Sequence, residues 1–353
     1  MADISSRKDD HLDLATHGDV GFRRTTTLFE CVRLVHDALP ELDFESLDLS
    51  VRILGKRLKA PLLIAGMTGG SDRAREINRE LASIAEERGY AFGLGSQRAM
   101  LKRKQVASSY QVRDVAPNAL LLGNIGVVQA AKMSTDEVAA LVGEVGADAL
   151  CVHLNPAMEL VQKEGDRDFR GGLDALARLS RELPVPLVAK ETGSGLSPDV
   201  ARRLAGAGVR HVDVSGAGGT SWVAVETERA SAERRGLGEA FREWGIPTAA
   251  SVALVEPFGF DTVFATGGVS TGLEVAKAIV LGASAGGIAR RVLQGLDQGG
   301  RDGALSMLDQ VETELRMAML LVGAADVATL RSRPRLLLGE LHAWVERVGG
   351  RAC

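Results

Sequence analysis

Residues 134–159 read STDEVAALVGEVGADALCVHLNPAME. The stretch opens on Ser134-Thr135-Asp136-Glu137, a capping box in which a hydroxyl and a carboxylate satisfy backbone N–H groups at a helix start. An apolar stripe follows, and then the continuous apolar run Ala149–Leu154. A run without polar alternation suits a parallel strand buried on both faces. It ends in polar residues, His153 and Asn155.

The same unit recurs outward from this stretch. Short apolar runs lie at Leu62–Gly66, Ala91–Gly95, Leu120–Ile125, Ala149–Leu154, Pro186–Glu191, His211–Gly216, Thr262–Gly267 and Ala285–Ala289. Helical stretches separate them. Asp72–Arg88 places Ile77, Leu81, Ile84 and Ala85 on one face, and Ser197-Pro198 offers a cap followed by Pro at the first helical position. Eight strand–helix units predict an α/β fold, the (β/α)8 TIM barrel. A doubly wound sheet is the alternative, but no topological switch is visible. We expect a single domain over 1–353. Residues 1–58 form an N-terminal extension with a short hairpin near Leu47–Leu58. Residues 59–300 form the barrel, with an insertion from Gly216 to Pro257 after strand six. Residues 301–353 form a tail with one or two helices.

Composition narrows the function. The chain has 353 residues, enough for a large core without disulfide or metal staples. Glycine is in excess, 41 residues where ~7% is usual, yet without the three-residue period of collagen. The net charge of −4 gives no global basic field for nucleic acid. Cys31, Cys151 and Cys353 are odd in number and far apart, which suggests a reducing, cytoplasmic setting. The polar start argues against a signal peptide, and the uncharged stretch 115–131 is too interrupted to span a membrane.

In a barrel the active site lies at the C-terminal strand ends. Those ends carry Met67-Thr68-Gly69-Gly70, Ser96-Gln97-Arg98, Asn124, His153-Leu154-Asn155, Lys190-Glu191, Ser215-Gly216, Gly267-Gly268 and Ala289-Arg290. So many polar residues at one mouth point to a site. Gly267-Gly268 and Gly286-Gly287 flank the loops that commonly bind phosphate, although turn glycines are the plain alternative. Lys190 suits either a Schiff base or a fixed cation beside an electron-rich ring, and with no cationic neighbour to depress its pKa the second is preferred. Arg7, Lys8 and His11 form either a solvated tail or an anion clamp. Glu159, six residues after His153, starts either an exposed helix face or a Mg2+ site completed by ligand phosphates. The spacing does not suit zinc.

These strings together resemble the type 2 isopentenyl diphosphate isomerases, which use flavin mononucleotide (FMN). The resemblance rests on Arg7-Lys8-Asp9-Asp10-His11-Leu12, Met67-Thr68-Gly69-Gly70, Gly95-Ser96-Gln97-Arg98, Gly123-Asn124-Ile125-Gly126 and His153-Leu154-Asn155-Pro156. It continues through Lys190-Glu191, the string from Val214 to Trp222, Trp244-Gly245-Ile246-Pro247-Thr248 and Gly267-Gly268. It implies that Met67, Thr68, Gly69, Ser96, Asn124, Lys190, Ser215, Thr220, Gly267, Gly268, Ala289 and Arg290 bind FMN. It implies that Arg7, Lys8, His11, Ser96, Arg98, His153, Asn155 and the residue at 158 bind a C5 diphosphate, with Glu159 holding Mg2+. Lys190, His153 and position 158 are then the catalytic candidates. The implied reaction interconverts isopentenyl and dimethylallyl diphosphate with reduced FMN, NADPH serving as reductant, in a homo-oligomer (tetramer or octamer).

Two places depart from the pattern: a smaller one is Val269-Ser270-Thr271, where the family often has a basic residue, and the larger is position 158. The family carries Gln where this chain has Met158. A thioether donates no hydrogen bond and shuttles no proton at neutral pH. Three outcomes follow: slow turnover, substitution by water or another residue, or a different phosphorylated substrate. A flavin-barrel dehydrogenase or oxidase and a non-catalytic flavin- or prenyl-diphosphate-binding protein are the competing readings.

Overall fold

Eight strands close into one barrel: β1 (Leu62–Ile64), β2 (Ala91–Gly93), β3 (Leu120–Gly126), β4 (Ala149–Leu154), β5 (Leu187–Glu191), β6 (His211–Asp213), β7 (Thr262–Ala265) and β8 (Ala285–Ile288). Every neighbouring pair is parallel, and the ring closes where Leu62–Ile64 pairs with Gly286–Ile288. The computed structural model describes residues 4–350 apart from 103 and 163; the side chains of 4–9, 102, 104, 232 and 233 also lie outside that description. Each of the eight apolar runs became one strand.

Side chains alternate along a strand with period two, and here the alternation separates two cores. Leu63, Ala91, Leu120, Leu122, Ala149, Cys151, Val188 and Phe264 fill the barrel interior. Leu121, Leu150, Val152, Leu187, Ala189 and Val212 point outward against the helices. The interior positions continue upward to His153 on β4 and Lys190 on β5, so the pleat itself carries both to the mouth. The expected hairpin is present as Val51–Ile53 paired with Lys56–Leu58, and its Ile53 and Leu58 plug the barrel floor.

The helices end where their capping residues dictate. Ser71 caps Asp72–Arg88 by accepting from Ala74 N, and Gly89 closes it in the left-handed conformation. Ser134 and Glu137 make the reciprocal capping box on Thr135–Val145. Ser197 caps Pro198–Gly206.

Three regions are richer than the sequence reading. The N-terminal segment is helical over Ile4–His17. The insertion after β6 forms helices Trp222–Glu228, Ala232–Ala240 and Thr248–Val255. Helix Arg290–Leu321 runs past residue 300 with a break at Gly299-Gly300, and beyond it the tail adds a strand, Arg335–Leu337, antiparallel to Val32–Leu34. No described helix is long and apolar enough to cross a membrane.

Candidate active site

A cavity of about 1180 Å³ opens at the C-terminal ends of the strands. It is lined by His11, Met67, Thr68, Ser96, Arg98, Asn124, His153, Asn155, Met158, Glu159, Lys190, Ser215, Thr220, Gly267, Gly268, Ala289 and Arg290. Gly69 lies outside that lining: a Cβ there would meet the Tyr110 ring at 2.0 Å, so its smallness serves packing. The side chains of Arg7 and Lys8 lie outside the described residues.

One wall is built mostly from main chain. Gly267 and Gly268 adopt φ values of 95° and 79°, in the region that side chains resist. A Cβ on Gly268 would lie 2.5 Å from Thr27 Cγ2, and one on Gly219 would lie 2.3 Å from Gly268 N. The loops after β6 and β7 thus touch through bare backbone. The segment 18–27 straps across them. Phe22 N donates to Gly219 O, Arg290 Nη2 donates to Gly18 O at 2.6 Å, and Glu243 accepts from the N–H groups of Arg23, Arg24 and Thr25. Those donors hold the Glu243 carboxyl down at about 2, against its desolvation.

Lys190 stands at the junction of the walls. Its Nζ lies 2.5 Å from Asp213 Oδ2 and 3.1 Å from Thr266 Oγ1, which itself donates to Asp213 Oδ1 at 2.6 Å. Asp213 is 2% exposed. A buried carboxylate thus pins the ammonium, which favours the fixed-cation reading over a neutral amine poised for Schiff-base chemistry. Beneath them, burial pushes the Cys151 thiol up to about 12, so it is inert there.

The opposite wall is built from side chains. His153 Nδ1 lies 2.8 Å from Asn124 Oδ1. Asn155 Nδ2 donates to Glu159 Oε1 at 3.0 Å, and Glu159 Oε2 accepts from Asp166 N at 2.7 Å. Arg98 Nη1 approaches Glu159 at 3.7 Å and Asp166 at 3.4 Å. Glu159 is 5% exposed, so it does not begin a solvated helix face. Met158 Sδ lies 3.9 Å from Asn155 Nδ2.

Over this wall the N-terminal helix docks on the insertion. His11 Nε2 lies 2.8 Å from Glu226 Oε1, which also accepts from Gln162 Nε2. Arg229 pairs with Glu226 and with Asp10. Sequence reasoning missed Asp213, Thr266, Asp166, Glu226 and Arg229. Asp213 and Thr266 had a signal, since both sit at barrel strand ends. Glu226 and Arg229 had none, because nothing local ties the insertion to His11.

Two observations test the fit to a flat, phosphorylated ligand. Thr68 Oγ1 and Arg290 Nε are buried in the cavity wall with no protein partner among the described residues, as donors awaiting a ligand would be. The glycine loops expose main chain where a Cβ would fill the space. Residues 153–336 match the family model of FMN-dependent dehydrogenases. The chain is 45% identical over 350 residues to the isopentenyl-diphosphate delta-isomerase of Halobacterium salinarum, covering 97% of this chain and 96% of that one. The chain belongs to the type 2, FMN-dependent isopentenyl-diphosphate delta-isomerase family. The family enzyme of Thermococcus onnurineus is 44% identical over 328 residues, 90% of this chain and 88% of that one. Among solved structures, a mandelate oxidase variant bearing an FMN monooxide adduct aligns over 92% of this chain and 95% of its own with a TM-score of 0.65. At 18% identity that likeness concerns the barrel fold alone.

Proposed function

We propose that this family member interconverts isopentenyl and dimethylallyl diphosphate in isoprenoid biosynthesis. The observation that carries the reading is the pairing of two unlike walls on one cavity, a backbone cradle and an Arg–Asn–Glu–His cluster. The cradle of Gly267, Gly268, Ala289 and Arg290 would hold the phosphate of FMN. Met67, Thr68, Ser96, Asn124, Ser215 and Thr220 would contact the rest of it. Bound and reduced, FMN supplies an electron-rich ring for proton transfer without net oxidation. Lys190, pinned by Asp213, would offer that ring a fixed positive charge.

Arg7, Lys8, His11, Ser96, Arg98, His153 and Asn155 would hold the substrate diphosphate. Among the described residues no three His, Cys, Asp or Glu side chains converge as a metal cage. Mg2+ commonly takes one or two carboxylates plus ligand phosphates, so the buried Glu159 suits it. Met158 would pack against the hydrocarbon part, and its thioether holds no proton at neutral pH. NADPH as reductant, a tetrameric or octameric assembly and a cytoplasmic setting complete the proposal. The unpaired thiols of Cys31 and Cys151 support the last.

The test is an assay with reduced FMN and Mg2+, run beside Met158→Gln. The wild type should interconvert the two diphosphates without consuming NADPH stoichiometrically. An amide at 158 should raise turnover by roughly 10²-fold, the lower end of a general acid–base contribution. No interconversion by either protein sinks the reading. Stoichiometric oxidation of a small acid would replace it with a dehydrogenase.

A further inference from the structure

Gln97 belongs to the Gly95-Ser96-Gln97-Arg98 string, yet it does not face the cavity as Ser96 and Arg98 do. It is 0% exposed and lies between β3 and helix Thr135–Val145. A primary amide in such a place costs free energy unless both its ends are bonded. Both are. Its Oε1 accepts from Asn124 N at 2.9 Å, and its Nε2 donates to Leu141 O at 3.1 Å. Its own backbone N donates to Asn124 O at 2.8 Å. Gln97 thus grips Asn124 by both main-chain groups. A Cβ on Gly123 would lie 2.9 Å from Gln97 Oε1, so the strand leaves room for that amide.

The grip propagates. Asn124 Nδ2 donates to Leu94 O at 3.1 Å, which turns Asn124 Oδ1 toward His153. His153 Nδ1 sits 2.8 Å from that oxygen. A carbonyl oxygen only accepts, so Nδ1 must carry a proton. In the neutral ring the other nitrogen, Nε2, is then the one without a proton. Hydrophobic filling alone would not need an amide at 97; a side chain of similar volume would do.

We propose that Gln97 is a positioning residue: through Asn124 it holds the His153 ring in one orientation and in the Nδ1–H tautomer. Protonation at Nε2 then aims a second N–H at the anion that His153 is assigned to bind. This rests on the diphosphate-binding role given to His153 above.

The test uses the FMN-loaded full chain with ¹⁵N-labelled histidine, comparing wild type with Gln97→Met. Both proteins are compared at saturating FMN, because Asn124 would also contact the flavin. The variant's His153 nitrogen resonances should show mixed tautomers, the limb of the pH profile set by His153 should shift, and the KM for the diphosphate should rise by roughly 10- to 100-fold, as for loss of a hydrogen bond to a charged group. Should Gln97→Met not fold, Gly123→Ala displaces the same amide while leaving Gln97 in place, and the same changes are expected. Gln97→Glu, which keeps the acceptor for Asn124 N, should restore the wild-type tautomer. Unchanged His153 resonances in a folded variant overturn the proposal. Mixed tautomers in an enzyme with no isomerase activity would sustain it and overturn the functional reading instead.

Discussion

The two walls of the cavity solve the same problem by different physics. On the side of β6 and β7, Gly219, Gly267 and Gly268 press main chain against main chain, and the 18–27 strap backs them. On the side of β3 and β4, Arg98, Asn155, Glu159 and Asp166 interlock through hydrogen bonds to the Glu159 carboxylate and through side-chain charge. The first wall is shaped by sterics and fails when a Cβ is added. The second is shaped by electrostatics and fails when one charge loses its partner. Lys190 sits where they meet and belongs to the second kind, although its strand leads to the first.

That boundary predicts the largest effect. Lys190→Met leaves Asp213 buried with Thr266 as its remaining side-chain partner. Breaking a buried pair from one side costs about 3–5 kcal/mol, so urea unfolding near pH 7 should show a loss of that order. Adding Asp213→Asn should recover most of the stability, because the stranded charge is gone. Turnover should stay low in both proteins. Recovery of turnover along with stability would show that Lys190 serves the fold alone.

The neighbouring residue gives the next effect, with opposite geometry. Glu191 points away from the barrel interior and accepts from Thr192 N and Ser194 N. Burial outweighs those bonds and pushes its carboxyl up from 4.5 to about 7. Between those values the native state binds a proton that the unfolded chain does not. Stability therefore falls as pH rises through that window and levels off above it. The full swing is about 3 kcal/mol. Glu191→Gln should match the wild type near pH 4 and exceed it increasingly up to pH 8. Parallel stability curves for the two proteins would mean that the carboxyl titrates in the folded protein as it does in the unfolded chain.

The same contrast explains what the sequence showed. Eight buried strands leave continuous apolar runs, and capped helices leave Ser134 and Ser197, so the barrel could be counted. The steric wall was legible as paired glycines at strand ends. Of the electrostatic wall, Arg98, Asn155 and Glu159 were legible from the strings at and just after the strand ends, and Asp166 was not. Asp213 meets Lys190 across 23 residues, and Glu226 meets His11 across 215. Closure of the barrel and docking of the insertion create those pairs, and neither leaves a period or a spacing. Gly69 shows the reverse limit. A glycine that makes room for Tyr110 and one that makes room for a ligand look alike until the ring is placed.

The steric wall should break under one methyl group. Gly268→Ala forces a side chain into φ 79° and against Thr27 and Gly218. Strain of this kind costs on the order of 1–3 kcal/mol. FMN affinity should fall by roughly 10- to 100-fold, read from the fluorescence of released flavin. The KM for the diphosphate, measured with FMN in excess, should hardly move.

Arg98→Ala probes the other wall and has the smallest expected effect. Arg98 is 33% exposed on its side chain and stands 3.4–3.7 Å from Asp166 and Glu159, so solvent screens it and stability should change by less than about 1 kcal/mol. The KM for the diphosphate should rise roughly tenfold, about 1.4 kcal/mol, while FMN affinity stays put. Combining Arg98→Ala with Gly268→Ala should then give additive losses, as distant sites without shared partners do. A coupling well above about 0.5 kcal/mol would show that the walls move together, and the strap over the glycine loops, rather than either wall alone, would become the unit that organises the site.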